Sequence, residues 1–386
     1  MLRGKIEIAS RVSPETLFET EKGILGLIYT PNVSYVAREI SNNKELAYDY
    51  TSKWNNVAIV CDGSRVLGLG NIGPEGAIPV MEGKSVLFKM LGGINAFPLC
   101  ISTQDKEQIV TFVKAIEPYF GAINIEDIES PKVLEIVERL QKELSIPVFH
   151  DDQHGTAVIA LAALLNSIKL VGKDLENVKV IIAGAGSAGY GIFKILDAAG
   201  CTNTIVADSR GAIYEGRNEN YEKNENPYKR EIALKTNAQK LSGNIAEVMK
   251  GADIFIGVSG RSGIITKQMV QSMHKDAIIF ALSNPEPEIY PPDALAAGAR
   301  IVATGRSDFA NQVNNAVVFP SVLRALLDLR AKTLTEDMLV AVAQAIAGLV
   351  DTDHLKENYV VPRVNDPRIL PAIGKTIKDS IKNHVA

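Results

Sequence analysis

The chain has few cysteines and no long apolar segment, and both scarcities exclude classes of protein. Its three cysteines, Cys61, Cys100 and Cys201, lie far apart without any C-x-x-C pair, so they form neither a disulfide framework nor a zinc site. The N-terminal "MLRGKIEIAS" lacks the apolar core of a signal peptide, and the longest nearly apolar segment, "TAVIALAALL", is too short to span a bilayer. These features predict a cytoplasmic protein that makes no membrane contact.

The sequence also lacks a large excess of positive or negative charge. The 41 Lys and Arg residues nearly balance the 45 Asp and Glu residues, and the net charge of −4 provides no electrostatic surface for nucleic acid. No internal repeat or low-complexity segment is evident. A length of 386 residues exceeds the size at which one hydrophobic core keeps growing, so two domains are expected. The predicted partner is a small soluble molecule.

From about residue 121 onward, short apolar segments alternate with helix-period segments, the pattern of a parallel sheet covered by helices. The first 120 residues are less regular and include a hairpin-like Asp62-Gly63 turn. A polar segment at 214–230 predicts an exposed loop, and Thr335 is a predicted helix cap. The predicted strands are 121–125, 146–150, 178–183, 203–207, 253–258, 277–282 and 300–303.

Pairs of acids follow the first two of these strands. Glu126 and Asp127 end one strand, and Asp151 and Asp152 end the next. A predicted helix that begins near Ser130 connects the two strands, which must then run parallel, so both pairs lie at the carboxyl edge where α/β sheets bind ligands. Four carboxylates without a nearby cysteine suit Mg²⁺ or Mn²⁺ better than zinc.

Alternatives to a metal site remain for these acids. Single acids at strand ends often cap the next helix or lie solvated, although four at matched positions favour a shared cation. Two histidines, His150 and His154, flank the second pair. They are predicted to orient or pack rather than to bind the metal.

The pattern G-x-G-x-x-G occurs at 68–73 and at 184–189. Only the second follows a buried strand and precedes a helical segment, and the next strand ends in Asp208 about 20 residues later, as dinucleotide-binding sites require. The predicted cofactor-binding residues are Gly184 at the turn, Gly186 beside the pyrophosphate, Ser187, Ala188, Gly189 at the helix contact and Asp208 at the ribose. The first string predicts a tight bend.

The segment "EGKS" at 82–85 imitates a phosphate-binding loop, but Ile78 stands where that motif needs a glycine. Lys84 is therefore either a surface lysine or a lysine whose pKa is lowered for proton transfer. A metal site and a dinucleotide site on neighbouring sheet edges together suggest oxidation of a hydroxy acid.

Seven segments of the sequence resemble those of a known protein family. The strings "YTPNVS", "DGSRVLGLGNIGPEGAIPVMEGKSVLFK", "FGAINIEDI", "PVFHDDQHGTA", "GAGSAG", "LSNP" and "NQVNNAVVFP" resemble, in order and spacing, the malic enzyme family in its short prokaryotic form. The resemblance implies an α/β protein with an N-terminal α/β substrate and metal domain, 1–155, and a Rossmann-type doubly wound parallel sheet domain with C-terminal helices, 156–386. It also implies a homodimer.

The resemblance further implies roles for single residues. Glu126, Asp127 and Asp152 match the metal ligands, and Asp151 matches the acid that supports the catalytic base. The remaining matches are Lys84 as the general base, Tyr29 as the general acid, Arg65 as the arginine for a substrate carboxylate, and Asn284 and Asn315 as substrate contacts, with Asn284 also at the cofactor.

The implied reaction is NAD- or NADP-dependent oxidation of L-malate at C2, loss of CO₂, and protonation of enolpyruvate to pyruvate. Asp208 favours NAD, whereas Arg210 could pair with the 2′-phosphate of NADP, so the choice stays open. The rival interpretations are a malolactic relative that releases lactate with bound NAD, an amino-acid dehydrogenase, which needs no such acid cluster, and a non-catalytic dinucleotide sensor.

Overall fold

The computed structural model describes residues 4–10, 12, 25–217 and 226–385. These residues form two sheets, both mainly parallel, covered by helices. The strands are β1 (Asn56–Cys61), β2 (Asn95–Cys100), β3 (Ala122–Ile125), β4 (Val148–His150), β5 (Val180–Ala183), β6 (Thr204–Asp208), β7 (Gly211–Ala212), β8 (Ile254–Gly257), β9 (Ile278–Ala281) and β10 (Ile301–Thr304). All seven strands predicted from the sequence are present.

The helices of the first part of the chain are α1 (Leu25–Ile28), α2 (Val33–Asn42), α3 (Leu46–Tyr50), α4 (Gly73–Gly92), α5 (Lys106–Ile116), α6 (Lys132–Glu143), α7 (Thr156–Val171) and α8 (Ser187–Ala198). Those of the second part are α9 (Pro227–Lys235), α10 (Ile245–Val248), α11 (Lys267–Gln271), α12 (Pro291–Ala296), α13 (Phe319–Asp328), α14 (Glu336–Ala347) and α15 (Ile369–Val385).

The first sheet has four parallel strands in the order β2-β1-β3-β4. Strands β1, β3 and β4 consist mainly of buried apolar residues, as expected for a parallel sheet with both faces covered, and the edge strand β2 is half-buried. Ile125 pairs with His150 at the ends of β3 and β4. The residues that follow, Glu126 and Asp151, are therefore neighbours at the carboxyl edge.

The second sheet has six strands in the order β10-β9-β8-β5-β6-β7, and all but β7 are parallel. The order reverses direction around β5, the strand before the second glycine string. In a doubly wound sheet this reversal opens a crevice at the carboxyl ends of the strands, where ligands bind. The Rossmann-type sheet predicted for this part of the chain is thereby confirmed.

Three local predictions differ from the structure or lie partly outside it. The Asp62-Gly63 turn does not form a hairpin, because β1 pairs in parallel with β2 and β3 and the chain continues into α4. The helix expected to begin near Ser130, α6, begins at Lys132 and has no side-chain cap. The polar segment 214–230 includes the start of α9, and its residues 218–225 lie outside the described residues.

Other local predictions hold. Thr335 caps α14 by accepting a hydrogen bond from Met338 N. The first glycine string forms the predicted bend, where Val66 and Gly70 pair across a tight turn. Among the described residues, one helical stretch, Asp151–Val171, is long and apolar enough to cross a membrane by length and composition alone. Since 72% of its most apolar window is buried inside the protein, it has the character of a core helix.

Candidate functional site

A cavity of about 1190 Å³ lies between the carboxyl edges of the two sheets. Residues from both sheets line it, so it includes the crevice expected beside β5. Twelve of the residues predicted from the sequence contribute to the lining: Arg65, Lys84, Glu126, Asp127, Asp152, Gly184, Gly186, Ser187, Ala188, Asp208, Asn284 and Asn315. The structure thus brings the predicted metal, substrate and cofactor residues to one place.

Three of the paired acids form a compact cluster. One carboxylate oxygen from each of Glu126, Asp127 and Asp152 lies within 4.8 Å of the other two. Asn124, two residues before the cluster, donates to Glu126 Oε2 at 2.8 Å, and Asp127 N donates to Asp152 Oδ2 at 3.3 Å. Asp127 Oδ2 is buried and has no hydrogen-bond partner among the described residues. Such an orphaned oxygen, facing two other carboxylates, fits a bound hard cation.

The backbone also shapes this cluster. Asp127 has φ of 51°, in the left-handed region that non-glycine residues seldom adopt, although aspartate tolerates it better than most. The turn lets Glu126 and Asp127 present their carboxylates at the same edge instead of on opposite faces, as an extended strand would.

Burial and mutual repulsion disturb the protonation of the cluster. Burial, followed by the charge of Asp152, raises the pKa of Asp127 to about 8. Burial also raises the pKa of Glu126 well above its ordinary value, and Lys84 offsets only part of this effect. Burial acts in the same direction on Asp152, but His150, Lys84 and the backbone N–H of Asp127 together outweigh it and lower the pKa. Without a cation these acids are held together at a cost.

Lys84 lies in the interior of α4 and is neither part of a phosphate-binding loop nor a surface lysine. Its Nζ contacts Glu126 Oε1 and Asp151 Oδ2, each at 2.5 Å, and lies 4.6 Å from the centre of the Phe319 ring. Burial alone would lower the pKa of Lys84, but the charges of Asp151 and Glu126 outweigh it and raise the pKa. The lowered pKa expected for Lys84 depends on a metal's charge as well as on burial, and it stays a prediction.

Asp151 is wholly buried behind Lys84. Its Oδ2 atom also accepts a hydrogen bond from Asn315 Nδ2 at 2.5 Å. Asn315, predicted as a substrate contact, lines the cavity and at the same time holds Asp151. Burial raises the pKa of Asp151, and Lys84 opposes this rise. Lysine, acid and amide thus form a connected polar chain in which the buried Asp151 joins two residues that line the cavity.

The glycine-rich loop connects β5 to α8. Gly184 has φ of 121°, and a Cβ there would come within 2.5 Å of Val258 O. A Cβ on Gly189 would come within 1.8 Å of Gly184 O, so the helix can approach the strand only with glycine. Gly186 is different, because a Cβ there meets nothing within 4 Å and would project into open space at the start of α8. That space fits the pyrophosphate of a dinucleotide.

Asp208, at the end of β6, is held by cations. Its carboxylate accepts from Arg217 Nη2 at 2.7 Å and from Lys229 Nζ at 2.8 Å, and its Oδ1 accepts from Arg210 N at 2.9 Å. Burial would raise the pKa of Asp208, but the hydrogen bonds from Arg217 and Lys229 lower it below its ordinary range. The acid predicted to bind the ribose therefore lies in a basic neighbourhood.

Two further predicted contacts come from loops, and one predicted residue lies elsewhere. Arg65 and Asn284 face the cavity from the segment after β1 and the segment after β9. Tyr29 lies between α1 and α2, is 63% exposed, and is absent from the lining of the cavity in the described part of the chain. The structure does not bring this residue to the site.

Several residues at the site were not among those predicted from the sequence. Asn124 supports Glu126, and the ring of Phe319 lies beside Lys84. Glu288 accepts hydrogen bonds from two loops that line the cavity. Asn124 precedes the acid pair by two residues, so the strand period could have found it. The other two depend on contacts far apart in sequence.

Both parts of the chain are similar to proteins of known family. Residues 8–141 match the family model for the malic enzyme N-terminal domain, and residues 153–376 match that for the malic enzyme NAD-binding domain. The chain is 49% identical over 375 residues to the bifunctional malic/malolactic enzyme of Bacillus subtilis, covering 97% of this chain and 89% of that protein.

Two more relatives give the same result. The NAD-dependent malic enzyme of Geobacillus stearothermophilus is 47% identical, with 98% of this chain and 76% of that protein covered. The crystal structure of the NAD-dependent malic enzyme of Thermotoga maritima superposes with a TM-score of 0.90 at 45% identity, covering 97% of this chain and 96% of that one. With both domain models matched in order, this chain belongs to the malic enzyme family.

Proposed function

We propose that this protein oxidises L-malate with NAD⁺ or NADP⁺ and decarboxylates the product to pyruvate and CO₂. One observation carries the proposal: a single cavity holds the acid cluster with Lys84 on one side and the glycine-rich loop on the other. Hydride transfer needs the substrate carbon beside the nicotinamide, and this cavity is large enough to hold both ligands.

We infer that Glu126, Asp127 and Asp152 hold Mg²⁺ or Mn²⁺. The support is the 4.8 Å grouping of their oxygens and the buried, unpartnered Asp127 Oδ2. A divalent cation there would supply positive charge where a substrate oxygen becomes negative during decarboxylation. Oxygen-only donors favour these hard cations over zinc.

Lys84 is positioned to exchange a proton with a substrate hydroxyl, since its Nζ faces the cavity between the acid cluster and Asp151. The 2.5 Å contact from Lys84 Nζ to Asp151 Oδ2 provides a direct route for that proton. Asn315 keeps Asp151 Oδ2 oriented toward the lysine. Arg65, at the mouth of the same cavity, is available for a substrate carboxylate, because a guanidinium pairs with such a group in a bidentate manner.

Steady-state assays test the proposal. The purified protein, given L-malate, Mn²⁺ and either NAD⁺ or NADP⁺, should form NAD(P)H and pyruvate in equal amounts, and it should fail to do so in EDTA. Comparing kcat/KM for the two cofactors decides the preference that Asp208 and Arg210 leave open. Absence of malate-dependent NAD(P)H formation with both cofactors and both metals contradicts the proposal.

A malolactic reaction is the second candidate, because the Bacillus subtilis relative carries both activities in its name. Such a reaction converts malate to lactate and leaves the bound cofactor oxidised at the end of each cycle. Proton NMR of the products separates the two, since lactate without net NAD(P)H indicates the malolactic route and pyruvate with NAD(P)H indicates the oxidative one.

We also propose a homodimer. Within the described part of the chain, α2 has no buried residue, and the segment from α1 to α2 exposes a series of large apolar side chains. These are Leu25, Ile28, Tyr29, Val33, Tyr35 and Val36. A patch of this kind on a single chain is typical of a protein–protein interface. Sedimentation equilibrium should give twice the mass of the chain.

The homodimer would also give Tyr29 a site. Tyr29 is exposed on this segment in the single chain, so it can reach a catalytic cavity only if the segment moves or if it meets the cavity of a second copy. Mixing inactive Tyr29→Phe and Lys84→Ala proteins distinguishes these cases. Recovery of activity in mixed dimers indicates shared sites, and its absence places Tyr29 with its own chain or outside catalysis. The cytoplasmic location and the domain boundary at 155 stay predictions, which fractionation and limited proteolysis can test.

A further inference from the structure

Glu288 lies between β9 and α12 and is fully buried. It is not among the residues that line the cavity, and none of the sequence motifs singled it out. A buried carboxylate far from any surface has a high desolvation cost unless hydrogen bonds compensate it. The contacts of Glu288 therefore reveal what it does in the fold.

Those contacts join two loops. Glu288 Oε1 accepts hydrogen bonds from Ser259 N at 3.0 Å, from Ser259 Oγ at 2.9 Å and from Ser283 Oγ at 2.5 Å. Glu288 Oε2 accepts from Ser283 N at 3.2 Å. Ser283 Oγ in turn accepts from Gly260 N at 2.8 Å. One carboxylate thus fixes the loop after β8 to the loop after β9.

The last residue of β8 leaves space for this carboxylate. A Cβ on Gly257 would come within 2.4 Å of Glu288 Cδ, so an added side chain would displace the carboxylate. Gly257 and Glu288 therefore form a matched pair, in which the missing side chain of one makes room for the other. A surface carboxylate would not require such a match.

The two loops lie on one side of the dinucleotide crevice. Ser259, Gly260, Ser283 and Asn284 line the cavity beyond β8 and β9, whereas Asp208 lies beyond β6, across β5. In a doubly wound sheet each half binds one half of a dinucleotide, with the adenosine near the acid of the second strand. The loops that Glu288 joins consequently face the nicotinamide half.

We propose that Glu288 is a positioning residue for the nicotinamide half of the cofactor, acting through Ser259 and Ser283 without touching the cofactor itself. This inference rests on the proposed function in so far as it assumes a dinucleotide in the crevice. Supporting residues of this kind determine whether the groups in contact with a ligand are held within the tolerance that binding needs.

Two substitutions of Glu288 test the inference. Glu288→Gln keeps the shape but replaces one oxygen by an amide NH₂, so at least one donor loses its acceptor. Glu288→Ala removes all four hydrogen bonds. We expect Kd for NAD(P)H, measured by fluorescence titration, to rise about 10-fold in Glu288→Gln and further in Glu288→Ala, since small misplacements of a site have effects of this order. Binding of AMP, which occupies only the adenosine side, should change less than twofold.

Asp253 provides the matched control. It is a buried acid that immediately precedes β8, at the opposite end of the strand from the cavity, and it accepts from Lys173 Nζ at 2.7 Å and Lys179 N at 2.8 Å. Asp253→Asn should lower Tm and leave both Kd values unchanged. A lower Tm with unchanged NAD(P)H binding in both Glu288 variants would reduce Glu288 to the same structural role and overturn the inference.

A substitution of Gly257 tests its close contact with Glu288 from the other side. Gly257→Ala in the parent protein should weaken NAD(P)H binding, because the new Cβ displaces the Glu288 carboxylate. In the Glu288→Ala background the same change should add little, since the space is then free. Equal losses in both backgrounds contradict the pairing. If Glu288→Ala fails to fold, the Glu288→Gln titration decides. Because these readouts measure binding, a parent protein that binds NAD(P)H without oxidising malate contradicts the proposed function alone.

Discussion

The two sheets present their carboxyl edges to one cavity, yet the edges differ in what they contribute. The edge of the four-stranded sheet carries buried carboxylates and the lysine that pairs with them. The edge of the six-stranded sheet carries glycines, serines and amides, with open space in front of Gly186. The first edge supplies charge, and the second supplies room and hydrogen-bond donors.

This difference determines how each edge is stabilised. Like charges held together away from water raise the free energy of the folded state, and Lys84 compensates only part of that cost, as the raised pKa of Glu126 indicates. The glycine-rich edge carries no such cluster of acids, because Asp208 there is paired with Arg217 and Lys229, and it depends instead on close packing of backbone atoms around Gly184 and Gly189. The acid edge should therefore respond most to removal of a cation, and the glycine edge to added volume.

Removal of the proposed divalent cation has the largest expected effect. EDTA should abolish malate turnover, and Mn²⁺ or Mg²⁺ should restore it. The reason is that the grouped oxygens of Glu126, Asp127 and Asp152 would act in catalysis only by holding a cation. Asp127→Ala should stay inactive after Mn²⁺ is added back. Glu135→Ala, which removes an acid of α6 that pairs with Lys106 of α5, is the control and should keep full activity. Full turnover by metal-free protein would refute the metal site.

Lys84→Ala tests the partner of these acids. We expect malate oxidation to fall about 10²-fold or more, the usual scale of general acid–base catalysis, while the protein still binds NAD(P)H. Lys89→Ala changes an exposed lysine of the same helix and should leave kcat within a few-fold of the parent. A similar small change in both variants would show that Lys84 has no role in proton transfer.

Added volume at Gly186 tests the other edge. A valine there would occupy the open space at the start of α8, so Gly186→Val should weaken NAD(P)H binding at least 10-fold and leave Mn²⁺ affinity nearly unchanged. Gly374→Val places the same side chain on α15, where a Cβ also meets nothing within 4 Å, and serves as the control. Normal cofactor titration by Gly186→Val would mean that the dinucleotide binds elsewhere.

The smallest effect concerns Asp208, the one acid among the predicted cofactor residues. Arg217 and Lys229 lower the pKa of Asp208 in the folded state, so its stabilising contribution is present above the unfolded-state pKa and is lost as pH falls through the folded value. Asp208→Asn should cost about 1 kcal/mol or less at pH 7. Urea midpoints should differ at pH 7 and should begin to converge only below about pH 4, the ordinary pKa of an aspartate. A difference that grows toward acid pH would contradict this assignment.

The acid cluster and the glycine loop were accessible from sequence because both depend on local order. Glu126 and Asp151 directly follow buried strands, and the parallel connection between those strands places them at one edge. The G-x-G-x-x-G string is likewise a strand, a turn and a helix in succession. The hairpin expected at Asp62-Gly63 was wrong, since parallel pairing with distant strands overrode a turn signal that is only local.

By itself, the sequence determined the strand pattern, the strand-end acids and the dinucleotide loop, because apolar period and turn residues act over a few positions. Only the tertiary structure decided which side chains meet. Lys84 lies 42 residues from Glu126 and 67 from Asp151, and Asn315 lies 164 residues from Asp151. The tertiary structure also leaves Tyr29 exposed and buries Glu288 beneath two loops. Such contacts depend on how helices and loops pack across the whole chain, which no local pattern of residues specifies.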